Sequence, residues 1–260
     1  MIDTKYFKDY RLKLGFTNQQ NVKKFFGAKD ITPTVDFNYI SLLNDRLIEI
    51  IYKINEIVSP DIKVNNLESF KDEHINQVFE KLKQHHIIER LNNQGRRPEE
   101  VYFSWMRGYV ISTYFLKALS IIFDTDLSNI KIIGDDDLEN IDSFRRTPTA
   151  DLEISINNFK KIRIEVQSGF QGINDIKQHK VLEAQKIAKT KHIPTIAIHF
   201  DLFNGQVAFI RLDTIEENDA HWITRQQMEG QTVFNINQNY FIWKLTDTPP
   251  SIEELDIELN

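Results

Sequence analysis

The chain has 260 residues, with 32 lysine and arginine residues against 38 aspartate and glutamate residues, and a formal net charge of −6. A content of 41% hydrophobic and 27% charged residues is typical of a globular protein. The absence of cysteine excludes disulfides, cysteine-bearing zinc sites and thiol nucleophiles. The most apolar stretch, residues 110–123, is too short to span a bilayer, and the first residues lack the apolar run of a signal peptide. We therefore expect a cytoplasmic protein, and the frequent isoleucine, asparagine and lysine favour a bacterial origin.

Three parts are predicted along the chain. Apolar residues recur at helical spacing from Ile40 to Ile54 and from Ile75 to Leu82, which predicts a helical subdomain over residues 1–94. Residues 95–212 are predicted to form a core of mixed helices and strands. Residues 213–260 are predicted to be an acidic C-terminal part with short strands.

The core has a distinct order of predicted elements. Pro98 begins a long helix that continues to about Phe123, and residues 130–133 form a short strand. Residues 151–156 and 162–167 alternate between polar and apolar, which predicts a hairpin of two half-buried strands. Asn174 or Asp175 is predicted to cap a helix that continues to about Lys191. Residues 195–200 and 205–210 complete the core as two paired strands, so the fold class is α/β, with a mixed central sheet flanked by helices.

The hairpin places acidic side chains on one face. If both apolar faces point to the core, Asp151 lies opposite Gln167, Glu153 lies opposite Glu165, and Asp151 is diagonal to Glu165. Opposed carboxylates repel each other, and a hard divalent cation such as Mg²⁺ would reverse the sign of that interaction. Asp151 and Glu165 are therefore predicted metal ligands, although an ordinary solvent-exposed polar face is the alternative interpretation.

These residues resemble a known motif. An acidic residue that opens one strand, followed by Glu165 and Gln167 on the next, is similar to the PD-(D/E)xK nuclease superfamily, and especially to small type II restriction endonucleases. The resemblance covers roughly residues 95–212. Ala150 stands where the family has proline, and Gln167 stands where it has lysine. Lys177 and Lys180 on the following helix are the candidates to replace that lysine.

The resemblance implies a function. It implies Mg²⁺-dependent, sequence-specific hydrolysis of double-stranded DNA that leaves 5′-phosphate ends, by a homodimer in a restriction system. Asp151, Glu165, Gln167, Lys177 and Lys180 would form the catalytic set. A repair or structure-specific nuclease, and a non-catalytic protein that binds DNA or another partner, are the alternatives. No phosphate-binding or dinucleotide-binding glycine motif is present, so a nucleotide cofactor is not expected.

The net charge of the whole chain is negative, but the distribution of charge along the sequence is compatible with a DNA partner. Residues 142–211 carry 11 basic against 7 acidic side chains, whereas residues 212–260 carry 2 against 10. Six polar residues outside the motif are candidate contacts to the phosphates or bases of DNA, and the alternative is that they are ordinary solvated loop residues. They are Arg96, Arg97, Arg145, Arg146, Arg225 and Gln226.

Overall fold

The computed structural model describes residues 3–16, 18–28, 31–91, 96–134, 138, 139, 141, 144, 149–156, 160–170, 172, 174–216, 220–226, 230–255 and 257. Its helices are α1 (Thr4–Leu14), α2 (Gln19–Phe26), α3 (Phe37–Ile57), α4 (Leu67–Lys71), α5 (Gln77–Gln84), α6 (Ile87–Arg90), α7 (Pro98–Tyr114), α8 (Leu116–Ile122) and α9 (Gln178–Lys191). Its strands are β1 (Ile130–Ile132), β2 (Leu152–Ile156), β3 (Lys160–Gly169), β4 (Asp175–Lys177), β5 (Thr195–Asp201), β6 (Gln206–Arg211), β7 (Ile223–Arg225), β8 (Gln231–Asn235) and β9 (Phe241–Lys244).

The N-terminal part is helical. The described residues from 3 to 91 contain α1 to α6 and no strand. Helix α3 buries an apolar stripe that begins at Ile40, and a π-helical turn at Asp72–Asn76 joins α4 to α5. The buried hydroxyl group of Tyr102 on α7 donates to Asn44 on α3 at 2.9 Å. Helices α3 to α7 therefore share one hydrophobic core, to which α1 and α2 contribute no buried residue. The boundary at residue 94 stays a prediction.

The long helix predicted from residue 99 to residue 123 is divided in two. Helix α7 ends at Tyr114, and α8 begins at Leu116 after a break at Phe115. The ring of Phe115 stacks on Phe200 of the sheet, with centroids 4.0 Å apart. No helix in the described part of the chain has the length and apolar character needed to cross a membrane.

A six-stranded mixed sheet forms the centre of the molecule, in the order β1-β2-β3-β5-β6-β9. Strands β3 and β5 are parallel, and the other neighbouring pairs are antiparallel. Alternate side chains of β5 point to opposite faces. Ile196 and Ile198 join the core that contains α7, while Ala197 joins the cluster that contains Val181 of α9. Helices thus cover both faces, and the predicted α/β fold with a flanked mixed sheet is confirmed.

A second sheet joins the segment directly before α9 to two strands of the C-terminal part. Strands β4, β8 and β7 form a three-stranded antiparallel sheet in that order. The prediction that α9 begins at Asn174 or Asp175 is wrong, because residues 175–177 pair with Val233, Phe234 and Asn235 of β8. Helix α9 begins at Gln178, with Lys177 as the residue before it.

The predicted register of the β2–β3 hairpin is also wrong, by two residues. Leu152 pairs with Ile164 and Glu153 with Arg163, so Glu153 and Glu165 do not face each other. Among the described residues the pairing ends at Leu152, and the backbone N–H of Asp151 donates to the carbonyl of Ile164 at 3.1 Å. A shift of two residues keeps each side chain on its predicted face. The shared face of Asp151, Glu165 and Gln167 therefore survives this correction.

Candidate active site

The candidate site lies where β2 separates from β3. In the described part of the chain, β2 pairs with β3 only as far as Leu152, whereas β3 continues beside β5 to Gly169. A cavity of about 380 Å³ opens at this edge of β3. Residues of α7 and of the strand ends line it, together with Lys177 and Lys180. The cavity brings all five predicted catalytic residues together: Asp151, Glu165, Gln167, Lys177 and Lys180.

Backbone hydrogen bonds hold Asp151 at the point where β2 separates from β3. Its carboxylate Oδ2 accepts a hydrogen bond from the N–H of Val166 at 2.7 Å, which fixes the side chain against β3. Its backbone carbonyl accepts from the N–H of Ile133, just beyond β1, at 2.9 Å. Neighbouring strands on both sides therefore position this one aspartate, whose side chain lines the cavity.

Glu165 is a buried carboxylate paired with a lysine. The ammonium group of Lys180, in the first turn of α9, lies 2.8 Å from the Glu165 carboxylate. Burial raises the pKa of Glu165, and the charge and hydrogen bond of Lys180 oppose this rise, as do Lys177 and a hydrogen bond from Gln167. Lys180 therefore brings positive charge to the position beside Glu165. Gln167 contributes a neutral hydrogen bond.

The donor set fits a hard divalent cation. Two carboxylates that line one cavity offer the oxygen ligands that Mg²⁺ prefers, and Mg²⁺ usually keeps waters or substrate phosphate in its other positions. Among the described residues, no group of three or more acidic, histidine or cysteine side chains forms a fuller metal cage. The carboxylates of Asp151 and Glu165 are thus acidic ligands that the described cavity offers a cation.

A buried polar chain lies beside the site. His199 is the neighbour of Gln167 across the β3–β5 pair, and its Nε2 lies 2.8 Å from Oδ1 of Asn174. The amide group of Asn174 donates to the Asp201 carboxylate at 3.2 Å, so its Oδ1 is the acceptor and His199 carries its proton on Nε2. Burial lowers the pKa of His199 to about 4, against the opposing charges of Asp201 and Asp175. His199 is therefore a neutral residue of the cavity wall.

This lowered pKa makes stability depend on pH. In the unfolded chain, His199 takes up a proton as the pH falls below about 6.5. In the folded chain, the His199 side chain stays neutral down to about pH 4. We expect acidification through this window to reduce the free energy of unfolding by up to about 3 kcal/mol. Denaturant unfolding at a series of pH values should show the loss, and His199→Gln should remove it. An equal loss in that variant would contradict this origin.

The other predicted DNA contacts are dispersed. Arg97 is exposed before α7 and pairs with Glu100 at 3.4 Å. The guanidinium group of Arg225 donates to the buried carboxylate of Asp175 at 2.8 Å, so it ties β7 to β4. Gln226 is exposed just after β7, and Arg96 is half-buried near the start of α7. Arg145 and Arg146 lie outside the described residues.

Sequence reasoning missed the contribution of α7 to the site. Ser104, Gly108 and Ser112 line the cavity at intervals of four residues, on one face of α7, and Arg107 lies beside them. Three small residues on one face of an otherwise bulky, apolar helix were a signal that something else occupies that face.

Comparisons with known proteins identify no family. No family model matches the chain, and no curated protein matches it. One of the matching solved structures is a Holliday junction resolvase from Archaeoglobus fulgidus, with 13% sequence identity and a TM-score of 0.31. That match covers 50% of this chain and 85% of the resolvase. A likeness this distant carries no weight in assigning the site.

Proposed function

We propose that the protein is a Mg²⁺-dependent nuclease that hydrolyses double-stranded DNA at specific sequences, as type II restriction endonucleases do. The observation that carries the proposal is the meeting of Asp151, Glu165 and Lys180 in one cavity at the edge of β3. Hydrolysis of a phosphodiester needs ligands for a cation and positive charge beside the phosphate. The resemblance of these residues to the PD-(D/E)xK motif supports the same chemistry.

In the proposed mechanism each residue has a defined task. Asp151 and Glu165 would hold Mg²⁺, which would supply polarisation of the scissile phosphate and a lowered pKa for a water molecule. The Lys180 ammonium group donates to a phosphate oxygen, where negative charge grows in the transition state. Gln167 keeps the Glu165 carboxylate in place through its hydrogen bond. The water oxygen would bond to phosphorus as the water releases a proton to solvent. The bond to the 3′ oxygen would break, and that oxygen would take a proton from solvent, which leaves a 5′-phosphate and a 3′-hydroxyl.

The proposed active form is a homodimer on a palindromic site. One cavity per chain cleaves one strand, so two chains related by a two-fold axis would cleave both strands of a site with the same symmetry. The basic segment at residues 142–211 would supply phosphate contacts.

Digestion of phage DNA with and without Mg²⁺ tests this function. We expect discrete bands with Mg²⁺ and intact DNA without it. Cleavage confined to branched or damaged substrates would instead identify a structure-specific or repair nuclease. DNA binding with no cleavage of any substrate would identify a non-catalytic binding protein.

A further inference from the structure

Two cations that line the cavity, Arg107 and Lys177, have no task in the proposed mechanism, and Arg107 is the one on α7. It lies on α7, whose neighbouring residues pack into the core on the face of the sheet opposite to α9. Lys180 therefore approaches the cavity from one side of the sheet, and Arg107 lines it from the other. Ser104, Gly108 and Ser112 leave space next to it, and a Cβ atom at Gly108 would meet no atom within 4 Å.

The guanidinium group of Arg107 lies over an aromatic ring and, among the described residues, has no carboxylate as an ion-pair partner. Its carbon lies 5.6 Å from the centroid of the Phe170 ring, just after β3. No carboxylate among the described residues lies within ion-pair distance of it, whereas Lys180 and Arg225 near the same cavity each have one. Burial and the positive charge of Arg96 both lower the pKa of Arg107.

An arginine in this setting has a high affinity for an anion. Arginine keeps its charge in proteins, so a half-buried guanidinium group bears the cost of desolvation without compensation until an anion arrives. Its planar donors match two oxygens of a phosphate group, and the aromatic ring fixes their direction.

We propose that Arg107 and Phe170 form a second phosphate subsite, which binds a backbone phosphodiester of the DNA next to the one at Asp151 and Glu165. The proposal rests on the proposed function, since it takes the carboxylate cavity as the position of the scissile phosphate. Arg107 is a binding residue here, and its effect is measurable without cleavage.

The test is the salt dependence of DNA binding, with Ca²⁺ in place of Mg²⁺ so that the duplex stays intact. We expect Arg107→Met to weaken binding at low salt by roughly 10- to 100-fold. It should also make the slope of log affinity against log salt shallower by about 0.9, the value for one lost phosphate contact. Arg107→Lys should keep the slope because it keeps the charge. The matched control is Arg46→Met, which removes an exposed arginine on α3, and it should change neither quantity.

The outcomes separate the subsite from a structural role. If Arg107 only packs against Phe170, Arg107→Met and Arg107→Lys should both lose affinity or thermal stability, and the slope of log affinity against log salt should not change. That result would contradict the phosphate subsite. Unchanged affinity and slope in Arg107→Met would overturn it as well. A wild-type chain that binds no duplex at all would overturn the proposed function first, and this subsite with it.

Discussion

Replacing Asp151 by asparagine should abolish Mg²⁺-dependent cleavage while the protein remains folded. Asparagine retains a side-chain oxygen that can accept from the Val166 N–H, so the hydrogen bond between this side chain and β3 is kept. The loss is of a charged ligand. Since a bound cation supplies several kcal/mol of transition-state stabilisation, we expect a rate at least about a thousandfold lower. Single-turnover cleavage of a duplex containing the recognition site measures it.

Glu153→Gln is the matched control for that experiment. Glu153 lies two residues along the chain from Asp151, but its carboxylate pairs with Lys161 at 2.6 Å on the strand surface, away from the cavity. We expect it to cleave at nearly the wild-type rate. Cleavage by Asp151→Asn at the rate of this control would show that the carboxylate pair is not the metal site.

The second large effect is expected at Lys180. Lys180→Met removes the ammonium group that lies 2.8 Å from Glu165, and with it the charge assigned to the phosphate. Loss of one transition-state donor costs roughly 100- to 1,000-fold in rate, with binding of the duplex largely retained. Lys186→Met, at an exposed position of the same helix, is the control and should cleave normally.

Among the candidates for the lysine of the motif, Gln167→Ala distinguishes Gln167 from Lys180. If Gln167 only steadies Glu165, its removal should lower the rate less than Lys180→Met does. If Gln167→Ala were inactive and Lys180→Met active, the assignment of the motif-lysine role to Lys180 would be wrong. The essential group would then lie on β3 rather than on α9.

The pattern of side chains predicted which face of the hairpin is polar but not its register. A slip of two residues leaves every side chain on the same face, so alternation alone cannot distinguish Glu153 opposite Glu165 from Glu153 opposite Arg163. The connection between the strands decides between them. The prediction ended the turn at Lys161, whereas β3 begins at Lys160.

Long-range pairing explains the remaining errors. Asp175 was expected to begin a helix, yet Asn235 and Arg225 both donate to its carboxylate from strands that lie far along the chain. The position of Lys180 follows from that pairing, because β4 moves the start of α9 to Gln178. Arg107 was missed because a single helix does not indicate which part of the sheet it will meet.

The most direct test of the account is a crystal structure of the protein grown or soaked with Mn²⁺, which substitutes for Mg²⁺ and scatters anomalously. We predict an anomalous peak in contact with the carboxylates of both Asp151 and Glu165, where β2 separates from β3. The structure of Asp151→Asn should show no such peak. A wild-type cavity without Mn²⁺, or a cation held elsewhere, would contradict the assignment of these two residues as the metal site.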